Sequence, residues 1–575
     1  MSRLLTFRFT ILAALLAAGL SAPGIAAAPA AGEPAQDEAS SSASLPALDL
    51  TPDLMQLLLV GDIAAQRGDG VLAAQLWNEL SKRAPDPRLA ARATELSLNS
   101  GQLAIALESA ERWISIDPAS PRAQQIIIGL LIRANRINDA TPYLQQVIAK
   151  NPAEAPGFFR QLHLLWGKAS DRSAVLHTTR ELARQYPELP EAHFATAYAL
   201  ATAGQNSEAI SELDLALQLR PNWEPAAIYK AQLLAGNDPQ ASLAILKDAS
   251  AANPMSSALL LSQARLQAEQ GQIAAAHDTY QHALKMQPDN PEALTGTAVT
   301  AIELRNFDEA KSLLERLLQL KPDEPSLFYL YLGQIAEEQR DWAAALDAYG
   351  KVTERQYLER VREREPRLLA RNGQRDAALQ AAAALPEGNE EEAVTKAQVQ
   401  ALVWKELGEL AQARALLSAA LSKYPNNPDL YYDRSIYADE AGDIAAAERD
   451  LRKNLALSPD NPAGLNALGY LLTNRTERLE EAQLLLEKAL TLEPDNPALQ
   501  DSIGWLRFRQ GRYTEALEWL QKAWSASKEP EIGLHLAETL AKLERRKDAR
   551  DLLAEVAKRG GKQADIDALR TRLGL

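Results

Sequence analysis

Prolines at Pro85, Pro118, Pro152, Pro187, Pro221, Pro254, Pro288 and Pro322 stand 33 to 35 residues apart, and after a gap of 103, three such periods, the beat resumes at Pro425, Pro459 and Pro494. A period held this tightly along a 575-residue chain marks one supersecondary unit stacked many times. That constrains the fold more than composition does. A single globular core stops growing at about 250–300 residues, whereas a stack adds core in one dimension.

Within each period the same slots recur. Before Pro288 stand Ala264, Gly271, Ala276, Tyr280 and Ala283, and before Pro221 stand Ala197, Gly204, Ala209, Leu213 and Ala216. The pattern predicts a first helix that stops at Gly204 or Gly271, where glycine supplies a left-handed cap, then a second helix ended by proline. Ala209, Ala276, Ala310, Ala345, Ala413, Ala447, Ala482 and Ala516 let helices approach closely. The unit is an antiparallel helix pair whose apolar face only the next pair can cover, which explains the need for repeats in series.

Gly61, Ala73, Trp77 and Pro85 match the small, small, aromatic and proline positions of the tetratricopeptide signature, as do Gly504, Gly511, Ala516 and Ala523. On these residues the chain resembles the tetratricopeptide repeat family from about Leu48 to Val556, in register about fourteen times. The resemblance implies an all-α, right-handed superhelical solenoid of antiparallel helix pairs. Two units read as degenerate, around 158–187 and 355–386, with glycine or small slots lost. The expected organisation is a signal peptide over 1–27, a disordered tether over 28–47, an N-terminal array over 48–355, a hinge over 356–391 and a C-terminal array over 392–575. An amphipathic helix after Gly560 and Gly561 is expected to cap the last repeat.

The net charge of −15 argues against a nucleic-acid or anionic-membrane surface, because binding phosphate needs clustered lysine and arginine. With no cysteine there can be no disulfide, thiol catalysis or thiolate metal site. His277 and His282 do not share a helix face as a metal pair would, so neither metal nor cofactor is expected. Phosphate-loop, nucleophile-elbow, H-E-x-x-H and dinucleotide motifs are missing from the sequence. The repeats run almost to Leu575 and leave no stretch for a separate catalytic domain, so a non-enzymatic protein is expected.

Arg3 and Arg8 precede an apolar run over residues 9–20 and small residues through Ala28, the arrangement of a secretory signal with cleavage after Ala27 or Ala30. An uncleaved anchor is the alternative. The Ala, Pro and Ser-rich stretch to Ala47 reads as a flexible tether. Leu16-Ala17-Ala18-Gly19 resembles a lipoprotein box, but Leu20 stands where the acylated cysteine would be, so no lipid can attach. The expected place is the periplasm, with association to the outer membrane as a further option.

In the tetratricopeptide family the first helices line the ligand-facing surface. The resemblance therefore places Tyr432, Asn466, Tyr470, Asn474, Asp501, Trp505, Phe508 and Arg509 on a candidate peptide groove, since rigid rings bury area at small entropy cost. The alternative is that Tyr470 and Trp505 pack against the next repeat. Phe194, Leu261, Thr295, Leu330, Tyr432, Asn466 and Asp501 occupy the slots where chaperone-binding members hold a terminal carboxylate, and no lysine is among them. Such recognition is not expected. Arg360, Arg364, Arg367 and Arg371, interleaved with glutamates, read either as a charged helical hinge or as a docking surface for an acidic partner.

Asn466-Ala467-Leu468-Gly469-Tyr470, with Asp501-Ser502-Ile503-Gly504-Trp505 and Gly511-Arg512-Tyr513, is similar to the last repeats of secreted proteobacterial tetratricopeptide proteins. The resemblance implies an adaptor that binds and activates a periplasmic carboxyl-terminal processing protease and presents cell-wall hydrolases to it. A scaffold subunit of an envelope polysaccharide synthesis or export assembly is the alternative.

Overall fold

The structure, a computed structural model, describes residues 50–167 and 171–574. The expected signal and tether lie outside them. The described residues hold thirty-one α-helices and one short 3-10 turn, without a strand. They divide into two compact units, one ending at Arg305 and the other beginning at Asn306.

Each unit is a succession of antiparallel helix pairs, and the punctuation is that of the sequence. Second helices end at Ile116, Leu219, Leu457 and Leu492, each two residues before a proline of the beat. The next first helix then starts on its own proline, as in Pro428–Glu440, Pro462–Arg475 and Pro497–Arg509, where a missing N–H costs nothing. Asn427, Asn461 and Asn496 cap these starts by accepting backbone N–H groups. At the corner inside a pair, Gly204, Gly271 and Gly511 have φ of 81°, 72° and 77°, the left-handed region that glycine adopts without strain. The following N–H groups close the motif, Gln205 on Leu200 at 2.9 Å and Gln272 on Gln267 at 2.9 Å.

The expected contact alanines, Ala209, Ala276, Ala310, Ala345, Ala413, Ala447, Ala482 and Ala516, are all 0% exposed. One turn on, Leu213, Leu314, Leu417, Leu486 and Leu520 are also 0% exposed. Glycine on the facing first helix completes the contact: a Cβ on Gly504 would lie 2.6 Å from Leu520 Cγ, well inside van der Waals contact. The second unit ends on the helix Gln563–Leu573, which buries Ile566 and Leu569 and ties Arg572 to Glu538 at 2.6 Å.

The segment 356–391, expected as a hinge with its glycine slot lost, lies inside the second unit and contains a helix pair, Arg355–Arg371 and Arg375–Ala383. Gly373 keeps the corner, with φ of 76°. What departs from the pattern is length, 17 residues then 9, so the proline beat loses its register there.

Replacing Ala516 by phenylalanine inserts a ring into a fully closed helix contact and is expected to destabilise the protein by at least about 1–3 kcal/mol. A denaturant melt of Ala516→Phe that overlays the wild type would contradict this packing.

Candidate functional site

The eight residues expected to line a groove sit on the first helices Pro428–Glu440, Pro462–Arg475 and Pro497–Arg509. Several are engaged by the pair that follows. Trp505 is 8% exposed, and its ring stacks on Phe508 at 4.6 Å and on His535 of the next first helix, Pro530–Lys542, at 4.2 Å. His535 Nδ1 donates to the buried Asp501 carboxylate at 3.0 Å. The Tyr470 hydroxyl donates to Glu531 at 2.9 Å. Arg509 donates to the Thr473 carbonyl at 2.6 Å and pairs with Glu477 at 3.2 Å. Tyr432 is half-buried and Asn474 is exposed, while Asn466 Oδ1 is buried with no hydrogen-bond partner among the described residues. Trp505, Phe508 and Asp501 thus form a seam between successive pairs, with the two rings buried in it.

The arginines expected as a docking surface behave similarly. Arg364 pairs with Glu337 at 2.8 Å, on the preceding first helix Ser326–Glu338. Arg367 and Arg371 both reach Glu406, at 2.9 Å and 2.8 Å, on the following first helix Glu390–Glu406. Burial opposes the charge on Glu406, yet hydrogen bonds from Arg371 and Arg367 outweigh it and hold the carboxyl below its ordinary range. Arg371 also lies 4.9 Å over the Trp342 ring. The guanidinium groups of Arg364, Arg367 and Arg371 tie adjacent pairs together, and Arg360 is the exposed one of the four. A polar cleft of about 370 Å³ elsewhere in this unit is similarly satisfied from within: Arg434 grips Asp450 at 2.7 Å through two nitrogens and Ser418 at 2.9 Å with the third.

The first unit presents a different surface. A cleft of about 320 Å³ crosses three successive first helices, Ala155–Leu165, Pro190–Thr202 and Glu224–Leu234. It is lined by His163 from the first, Phe194 and Tyr198 from the second, and Glu224, Tyr229 and Gln232 from the third. Tyr198 and Tyr229 stack at 5.7 Å, Phe194 stands 5.9 Å from Tyr229, and His163 lies 5.2 Å from Tyr198. All four rings are half-buried, so their outer parts meet solvent. Desolvation, aided by Tyr198, pushes the Tyr229 hydroxyl up to about 12, so it stays neutral. The sequence signal was available: Phe194 and Tyr198 are four apart on one helix face, and Tyr229 falls one period later.

Two models of one repeat family match this chain, over 176–222, 232–291, 399–462, 432–497 and 475–528 for one and 267–335 and 507–573 for the other, both described as "Tetratricopeptide repeat". Together they span more than half of the chain. The chain belongs to the tetratricopeptide repeat family. It is 28% identical over 486 residues to TPR repeat-containing protein PA4667 of Pseudomonas aeruginosa, covering 84% of this chain and 82% of that protein. Among solved structures, it is similar to the TPR protein TTC0263 of Thermus thermophilus, at 23% identity and TM-score 0.29 over 32% of this chain and 97% of that one. It is also similar to Pseudomonas aeruginosa pilF, at 26% identity and TM-score 0.28 over 32% of this chain and 84% of that one.

In tetratricopeptide terms, His535 and Asp501 join equivalent faces of consecutive repeats. Burial disfavours the His535 imidazolium, but the Asp501 carboxylate, aided by Glu531 and Glu538, outweighs burial and holds its pKa above the ordinary value. With the folded pKa above the unfolded one, the stabilisation is fully present below about pH 6.5 and is lost as pH rises through the folded value. In melts of wild type and His535→Gln from about pH 5.5 to pH 9, the wild-type advantage is expected to shrink with rising pH. An advantage independent of pH would show that His535 carries no charge in the fold.

Proposed function

We propose that this tetratricopeptide scaffold is a non-catalytic adaptor of the cell envelope, which holds a carboxyl-terminal processing protease and its cell-wall hydrolase substrates on one body. The cleft across three first helices carries the interaction reading. Half-exposed rings of Phe194, Tyr198 and Tyr229 on successive repeats offer rigid contact area to an extended segment of another protein. Export is supported by the basic and apolar pattern of residues 3–20. The protease assignment is supported by the similarity of 466–470, 501–505 and 511–513 to the last repeats of secreted adaptors. A scaffold of this kind works by raising effective concentration, so it needs no reactive group of its own.

The test is a mild crosslinking pull-down with the exported protein as bait, read by mass spectrometry. A processing protease recovered with cell-wall hydrolases is the expected result. Polysaccharide synthase or export proteins without a protease would overturn the protease assignment. The double variant Tyr198→Ala and Tyr229→Ala is expected to lower partner recovery at least about tenfold, the scale on which aromatic anchors act, with helicity unchanged by circular dichroism.

A further inference from the structure

We propose that the aromatic cleft of the first unit selects a cationic side chain, an arginine or lysine held between apolar neighbours in an extended partner segment. The inference rests on the interaction reading above and gives it a chemistry. Three features point the same way.

The first is the charge balance of the cleft. Glu224 is a carboxylate on its wall that makes no ion pair among the described residues. The nearest cations in sequence are used elsewhere: Lys230 is bound to Asp214 at 2.6 Å and Arg220 to Glu191 at 2.8 Å. A cleft with an unpaired carboxylate and no lysine or arginine on its wall is complementary to a cation that the protein does not itself supply.

The second is the rings. The faces of Phe194, Tyr198 and Tyr229 carry the negative end of the ring quadrupole, which attracts a cation lying within about 6 Å of the centroid. An internal precedent stands beside them. The Arg220 guanidinium lies 4.9 Å over the Trp223 ring, and Trp223 is 5.3 Å from Phe194. The same aromatic cluster therefore already supports this contact within the chain.

The third is apolar exposure on the helix that supplies His163. Leu164 and Leu165, which follow His163 at the end of Ala155–Leu165, are 57% and 41% exposed. Leucines this open on a helix that contributes to the cleft suit apolar residues flanking the cation.

Two blocked tripeptide amides test the proposal against the full chain by titration calorimetry or saturation-transfer NMR, one with arginine between two leucines and one with neutral citrulline in the same place. The arginine peptide is expected to bind about tenfold more tightly. Glu224→Gln, and separately Tyr198→Leu with Tyr229→Leu, are each expected to reduce that preference several-fold. Glu224→Gln should also leave the citrulline affinity unchanged. Equal affinities in the wild type, no binding of either peptide, or a preference that survives in both variants would overturn the cationic selectivity. Equal affinities would leave the adaptor reading intact, whereas a pull-down that returned no partner would remove that reading while the tripeptide preference was still measured.

Discussion

The near-contact of helices at a small residue sets the geometry of this protein. Ala516, with Gly504 opposite Leu520, brings two helices to a separation that no larger side chain permits, and Ala482 with Gly469 opposite Leu486 repeats the arrangement one period earlier. A pair built this way has a broad apolar face and no means of burying it alone. Its stability comes from neighbours, so the fold is a sum of local interfaces. The consequence for function is that, within each unit, side chains about one period apart on successive first helices become neighbours.

That spacing accounts for both kinds of surface. In the second unit, residues about one period apart satisfy one another: Asp501 meets His535, Arg371 meets Glu406, and Arg475 meets Asp439 at 2.9 Å. Many of the bridging ion pairs are solvent-exposed and contribute at most about 1 kcal/mol each, so they steer register more than they stabilise. In the first unit's cleft, rings on successive first helices meet one another, and Glu224 has no cation beside it. The surface stays chemically unsatisfied, which is the condition for a binding site.

Much of the fold was legible because its determinants are local. A proline after a second helix, a glycine at a left-handed corner and an alanine at a contact each act within a few residues, so the period announces them. Gly373 was missed as a corner because the longer first helix shifts it out of register. Side-chain roles were harder to read, since they depend on a partner a full period away. Trp505 has the same makeup as a binding ring, and only the presence of His535 at the facing slot turns it into a seam residue. Arg364, Arg367 and Arg371 resemble a docking patch until Glu337 and Glu406 arrive from neighbouring helices. The aromatic cleft could have been found by asking which first-helix rings recur as rings one period on, a question that selects Phe194 and Tyr229, with Tyr198 one turn along from Phe194.

The central claim is that partners are held in the first unit's aromatic cleft. It is tested most directly by site-specific photocrosslinking in cells, with a photoreactive phenylalanine derivative placed at Gln232 on the cleft wall or at Arg449, an exposed residue of the second unit's polar cleft. A discrete adduct from Gln232, with none from Arg449, is the predicted result. Adducts from Arg449 with none from Gln232 would contradict the account and move partner binding to the other unit.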